Sequence, residues 1–496
     1  MLFNSVTFLG LFLPIVCTLY WLLKGQARLW LLLISSITFY GFWRIEFIPL
    51  MLGSAIMDYF LAHWIARTED QTQRKRIMGI SLVANLGILG FFKYFLFFRD
   101  SIFSVAQLLG FEPSFTTINI ILPLGISFYI FQTLSYTIDV YRRDIEPETN
   151  LLRYMTFVTF YPHLVAGPIM RPDILIPQLA NPAPFSAQKV REGIERILAG
   201  LFLKVVLADS IAPFVDEGFA NNLLQMSAFD AWTLAFLFGF QIYFDFAGYS
   251  SIAIAIGSAM LMNIYVPENF RFPYVATSPR EFWKRWHISL STWIRDYVYI
   301  PLIGRYRAPG EGAWDTLSEP GEKAPDTPDV SEARRTRALF TTWAIMGLWH
   351  GANWTFVVWG LYHATMVWGQ RSLSRWISPP QRWIGALVGV GVTLPLIMAA
   401  WIPFRAPDLN STFILWSKLV NPLAYRGLSL APNSYLVAAI ITLAMFAAYF
   451  VSEKLVPRLA KYPSAFLVVK SAYLTVVIAI VFIMLEVRAQ FIYFQF

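Results

Sequence analysis

The sequence predicts an all-α, polytopic integral membrane protein, and three observations carry that prediction. Of its 496 residues 57% are hydrophobic and only 14% charged, with a mean hydropathy of +0.53, a composition typical of membrane chains. Apolar runs long enough to cross about 30 Å of hydrocarbon recur along the whole chain. Between them, basic residues gather in alternate loops, the asymmetry expected of cytoplasmic connections. The excess of 39 basic over 31 acidic residues, net +8, therefore reports topology. With no low-complexity basic tail and no nucleic-acid module, the expected partner is the lipid bilayer and not a nucleic acid.

The first apolar run covers residues 4–23. Met1-Leu-Phe-Asn-Ser-Val-Thr7 has no basic leader and no small-residue cleavage site follows the run, so a retained helix is expected. Lys24 and Arg28 come next, placing the N-terminus outside and the first loop in the cytoplasm. Further runs fall at 29–45, 48–66, 77–98 and 115–141. The loop Arg67–Arg76 carries four basic residues and reads as cytoplasmic; Arg99–Pro113 carries one and reads as external. Tyr141-Arg142-Arg143 returns to the cytoplasm. Cys17, the only cysteine, excludes an intramolecular disulfide and a cysteine-rich metal site.

Two apolar strings are interrupted by Pro and Gly: Leu122-Pro-Leu-Gly-Ile-Ser-Phe-Tyr129 and Phe160-Tyr-Pro-His-Leu-Val-Ala-Gly-Pro-Ile-Met-Arg-Pro172. Irregular backbone at membrane depth is tolerated only inside protein or beside a wet cavity, so both are expected to bend into the core, with His163 structural. After the basic loop Arg171–Arg191 come a span near 192–212 and a short acidic external loop with Asp216, Glu217 and Asp230. The apolar run 231–262 is too long for one straight crossing, and Asp245 within it must be protonated or partnered.

Residues 263–337 hold many basic residues and read as cytoplasmic. Inside them 308–333, rich in Pro, Gly, Asp and Glu, reads as a flexible insert. The run 338–370 is preceded by Arg334, Arg335 and Arg337 and followed by Arg371, Arg375 and Arg382, which predicts a hairpin or bent pair with both ends cytoplasmic. Later spans fall near 383–404, 434–453 and 470–488 around the basic loop Lys454–Lys470, leaving the tail Phe491–Phe496 outside. The sum is about ten full crossings plus re-entrant elements, in one membrane domain over 1–496.

The candidate chemistry centres on two of the five histidines. His350 lies near the middle of the apolar segment Thr341–His363, where a charged group costs at least a few kcal/mol. On one continuous helix Gly347 sits a turn before it and Asn353 and Trp354 a turn after, a polar face able to line a wet cavity. The alternative is a neutral buried histidine satisfied by a backbone carbonyl. By the same spacing His363 falls about 140° away and reads as structural. The second histidine, His287, stands in Arg280–Pro301 among Arg280, Glu281, Lys284, Arg285, Arg295, Asp296 and tryptophans. On a helix Trp283, Lys284, His287 and Ser291 share a face, and the mixture suits an amphipathic element at the interface or dipping into a cavity. Together the two histidines form a candidate acid–base constellation.

The strings Phe282-Trp-Lys-Arg-Trp-His-Ile-Ser-Leu-Ser-Thr-Trp-Ile-Arg-Asp-Tyr297 and Gly347-Leu-Trp-His-Gly-Ala-Asn-Trp354 resemble signatures of the membrane-bound O-acyltransferase superfamily. More narrowly, they resemble its bacterial alginate O-acetyltransferase branch, and the resemblance runs through most of the chain. It implies that family's helical fold around a central cavity, with His350 as the catalytic histidine and His287 as the second histidine of the site. It implies a cytoplasmic acyl thioester donor such as acetyl-CoA, and no bound cofactor. Arg280, Lys284 and Arg285 would meet the donor's phosphates, although positive-inside bias also accounts for them. Trp349, Trp354, Trp283 and Trp286, with Asn353, would line the cavity. The branch resembled hands acetyl groups across the bacterial inner membrane to an exported polysaccharide, with periplasmic acetyltransferase partners. Two departures stand out. Ser251 occupies a position that is commonly acidic, and Ile303-Gly304-Arg305 replaces a common Gly-Gly pair.

Acyl transfer to a hydroxyl needs a base and a site for the developing oxyanion. A neutral histidine in a low-dielectric cavity suits the first task. No Gly-x-Ser-x-Gly elbow or cysteine lies near either histidine, so a Ser or Cys acyl-enzyme has no support. Nor is there a His-x-x-x-His or clustered-carboxylate pattern for a metal. Two other readings remain open. One is a transporter or polysaccharide-export subunit, against which the chain shows no two-half symmetry. The other is an acyltransferase acting on peptidoglycan, teichoic acid or lipid.

Overall fold

The computed structural model describes residues 1–111, 118–257, 263–304, 330–374 and 382–485. They are helical, with no strand among the described residues. Among the described residues six helices are long and apolar enough to cross a membrane: Ile45–Arg67, Gln71–Leu108, Ala187–Ala220, Ile384–Arg405, Pro432–Leu459 and Pro463–Met484. The first apolar run forms the shorter helix Phe8–Leu22. Contacts divide the chain into two compact units, residues 1–197 with 252–267 and residues 198–251 with 268–496.

In the first unit α1 (Ile48–Arg67), α2 (Gln71–Leu89), α3 (Ile126–Arg142) and α4 (Leu151–Thr159) pack around a polar ladder. Asp58 accepts hydrogen bonds from Ser81 Oγ at 2.5 Å and Asn85 Nδ2 at 2.7 Å. Both carboxylate oxygens are thereby matched, which is what lets a buried acid persist between apolar helices. The two Pro- and Gly-broken strings do bend inward and meet. Gly125 takes a left-handed φ of +68° at the start of α3, and a Cβ there would lie 2.5 Å from the carbonyl oxygen of Leu164. His163 is buried with its ring edge-on to Phe160 at 5.4 Å.

In the second unit α5 (Ala228–Ala255) carries Asp245, and its expected partner is Lys204. The Lys204 ammonium reaches Asp245 Oδ1 at 2.6 Å and Asp209 Oδ1 at 2.7 Å, all three side chains being nearly or fully buried. Lys204 sits in the π-helical turn Phe202–Ala208, whose extra residue re-aims its side chains. Gly248 lets α5 approach that turn: a Cβ there would lie 2.6 Å from Gly200 O. Lys204→Ala would strand two buried carboxylates, and a destabilisation of about 3–5 kcal/mol is expected. Asp245→Asn, which leaves the Lys204–Asp209 pair intact, is expected to cost less. Thermal melting of the two purified variants in detergent checks the order.

Two short helices, α6 (Pro279–Arg285) and α7 (Ile288–Ile294), precede the hairpin expected over 338–370. That hairpin is present, as α8 (Glu332–His350) and α9 (Trp354–Leu373). Glycines set its spacing. A Cβ on Gly360 would lie 2.1 Å from Trp343 O, and one on Gly347 2.2 Å from Phe356 O. Backbones approach this closely only where small residues face each other. α10 (Arg382–Arg405) packs against α9. Of the predicted insert 308–333, residues 308–329 lie outside the described residues, while Glu332 and Ala333 already belong to α8. The tail Phe491–Phe496 also lies outside them.

Candidate functional site

His350 is the last residue of α8 and is buried. The helix stops because Gly351 turns to extended backbone, and Asn353 starts the next helix as its N-cap. Asn353 Oδ1 accepts from Thr355 N–H at 3.0 Å, and its Nδ2 donates to Pro407 O at 3.4 Å. The continuous face of His350, Asn353 and Trp354 expected from helical spacing therefore does not exist. Asparagine is a strong N-cap, and here that preference overrides the apolar run. Trp354 opens α9 with 48% of its surface exposed, so it does not wall an enclosed space. His350 instead packs against Trp349, Trp359 and Phe404, with ring centroids 4.9, 4.8 and 5.2 Å away.

His363 also departs from expectation. The hairpin reverses the chain and brings it back to the same cluster, 4.7 Å from Trp359. Its Nδ1 accepts from Trp283 Nε1–H at 3.3 Å, which assigns the ring proton to Nε2.

His287 lies between two helices, not within one. α6 ends at Arg285, Trp286 is extended, and His287 takes a left-handed backbone, φ 41° and ψ 53°, before α7 begins. The shared helical face of Trp283, Lys284, His287 and Ser291 is accordingly replaced by a turn. A left-handed non-glycine residue costs about 1–3 kcal/mol and persists only where its surroundings over-determine it. Asn269 is what does so here. Its carbonyl accepts from Ile288 N–H at 3.0 Å, and its Oδ1 accepts from Ser289 N–H at 3.2 Å and Ser289 Oγ–H at 2.9 Å. Sequence reasoning missed this residue: nothing in the spacing of Pro267-Glu-Asn-Phe270 links it to a turn so far downstream.

The His287 ring packs edge-on against Phe246 at 4.5 Å and near Trp349 at 6.0 Å. His287 and His350 thus both contact one indole, that of Trp349. His287 belongs to none of the six candidate spans, and burial holds its imidazole well below the ordinary histidine range, hence neutral. Trp286 packs on Trp401 at 4.8 Å, and Trp283 on Trp343 at 4.7 Å and Trp359 at 5.8 Å. Trp283, Trp286 and Trp349 are therefore all buried in the aromatic wall around the histidines.

The three cations divide. Arg280 is exposed and Lys284 half-buried, four residues apart on one side of α6. Arg285 is already engaged, its Nη2 2.7 Å from Glu281 Oε1 and its Nη1 donating to Arg271 O. Burial alone would raise the Glu281 carboxyl, but hydrogen bonds from Thr277 and Arg285 hold it below the ordinary range. Two buried imidazoles that pack against the Trp349 ring, the one at His287 held neutral by burial, are groups of the kind that take a proton from a hydroxyl.

The membrane-bound O-acyltransferase family model matches residues 141–312, the part that holds His287 and Asn269. Over 85% of its length the chain is 38% identical to the "Probable alginate O-acetylase AlgI" of Azotobacter vinelandii, covering 78% of that protein. It is 33% identical to the peptidoglycan O-acetyltransferase of Helicobacter pylori, over 85% of this chain and 80% of that one. A teichoic acid D-alanyltransferase of Bacillus subtilis is 27% identical over 55% of this chain and 66% of its own. The three relatives differ in the acceptor their names give, and one in the acyl group, but all are named for acyl transfer. A helical membrane chain with this breadth of identity belongs to the membrane-bound O-acyltransferase family and is an O-acyltransferase.

Proposed function

We propose that the chain takes an acetyl group from acetyl-CoA, or another cytoplasmic acyl thioester, and passes it across the bacterial inner membrane for O-acetylation of an exported polysaccharide such as alginate. The observation that carries this reading is a pair of buried histidines that both pack against the Trp349 ring, in a chain similar to alginate O-acetylases. His350 accepts the proton of the acceptor hydroxyl as its oxygen attacks the thioester carbonyl. The C–O bond forms, the C–S bond breaks, and the proton leaves with the thiol. His287, packed near the same indole, supports the reacting groups. Trp283 and Trp286 exclude water, and Arg280 and Lys284 meet the donor's phosphates. The chain works as one membrane domain of about ten crossings around a central cavity, with periplasmic acetyltransferase proteins completing delivery.

Radiolabelled acetyl-CoA supplied to the cytoplasmic face of sealed vesicles tests the donor and the direction. Label is expected in an acceptor on the far side. Label that never leaves the donor would sink the proposal, and that is the result expected of a transporter without this chemistry. Peptidoglycan is the second acceptor to consider, because a relative covered over most of its length carries that name. Deleting the gene and measuring which surface polymer loses ester-linked acetate separates the two.

A further inference from the structure

We propose that Asn269 is a positioning residue for acyl transfer, its side-chain amide holding the left-handed turn that presents His287. The inference rests on the reading of His287 as the second histidine of the site.

At the start of α7 the first N–H groups need acceptors from outside the helix. The residue before a helix usually supplies one from its own side chain. His287 occupies that position and makes no such bond. Its ring is turned to Phe246 and Trp349 instead. Asn269 takes over the capping from a distant part of the chain, its Oδ1 accepting from the backbone N–H and the hydroxyl of Ser289. The amide's other end is fixed as well, Nδ2 donating to Ser250 Oγ at 3.2 Å on α5. Because one end of the amide accepts twice and the other donates once, its orientation is determined by the network. Asn269 and His287 have no surface exposed.

Two backbone rungs lie beside these bonds: Ile288 N–H to Asn269 O at 3.0 Å, and Arg271 N–H to Arg285 O at 2.9 Å. They survive any side-chain change, so Asn269→Ala should keep the strands of the turn together and lose only what the amide adds. What it adds is the anchor on Ser289 and, through Ser250, on α5, the helix whose Phe246 touches the His287 ring. Relaxation of the turn would then move the imidazole relative to Trp349 and His350.

The test is a kinetic cycle in sealed inverted vesicles with acetyl-CoA as donor. Asn269→Ala is expected to lower kcat by about tenfold to a hundredfold, the scale set by displacements of around an ångström. The KM for acetyl-CoA should stay within about twofold, since the lost interaction is not with the donor. Asn269→Asp keeps both acceptor bonds, and the Ser250 hydroxyl can rotate to donate, so a large part of kcat should return. In a His287→Ala background Asn269→Ala should cost nothing further, the signature of two residues acting through one another. Three results would overturn the role: wild-type kcat in Asn269→Ala, no recovery in Asn269→Asp, or a full additional loss in the His287→Ala background. Should Asn269→Ala fail to fold, Ser289→Ala and Ser250→Ala each remove one of the amide's bonds, and unchanged kcat in both would overturn it too. A His287→Ala variant at full rate overturns the reading of the site itself. A slow His287→Ala beside a full-rate Asn269→Ala overturns only the positioning.

Discussion

Replacing His350 with alanine is expected to reduce acetyl transfer by about 10²–10⁴-fold, the usual contribution of a general base. The protein should remain folded in the membrane. The imidazole lies at the end of α8, not inside it, and its neighbours Trp349, Trp359 and Phe404 keep ring contacts of their own with His287, Trp401 and Phe356. His287→Ala is expected to lose activity as well. His63→Ala is the control, because that side chain closes on its own helix, Nδ1 lying 2.8 Å from Tyr59 O. Ester-linked acetate in the surface polymer, at matched protein levels, is the measurement. Acetylation at the wild-type level in His350→Ala would remove His350 from the chemistry.

The second large effect is structural and comes from Gly360. A methyl group there would sit 2.1 Å from the backbone oxygen of Trp343, and a backbone atom in a packed hairpin has nowhere to go. Gly360→Ala should therefore pry α8 from α9, disturb the ring contacts that Trp359 makes with His350 and His363, and lose most of the folded protein. Gly369, further along α9, has nothing within 4 Å of its would-be Cβ. Gly369→Ala should be neutral or stabilise by up to about 1 kcal/mol through helix propensity. Expression and melting temperature of the two variants in detergent decide this. Equal behaviour would mean the hairpin can slide.

Much of this architecture was legible in the residues, and the errors share one cause. Basic residues flanking 338–370 on both sides predicted a hairpin because charge reports topology whatever the local geometry. Asp245 announced a partner because an apolar helix cannot hold a lone carboxylate. The mistakes came from extending helical spacing through a break. Gly351 and Asn353 have the residue types of a stop and a cap, and helical spacing carried past them places Asn353 and Trp354 on the His350 face and turns His363 away. The break at Trp286 and His287 was not readable. No glycine or proline marks it, and what stabilises it is Asn269 and Ser250, brought from elsewhere in the chain by tertiary packing.

The left-handed backbone at His287 puts natural selection under two opposed demands at one position. Glycine would adopt that conformation at lower cost than histidine, so drift towards a sturdier fold pulls the imidazole out of the sequence. What glycine would lose is the ring that packs on Phe246 and near Trp349, so the histidine stands against the preference of its own backbone. In a lineage that loses acyl transfer, position 287 is where the change should come first, ahead of Trp283 and Trp286, whose place in the packed wall protects them even when the chemistry no longer matters.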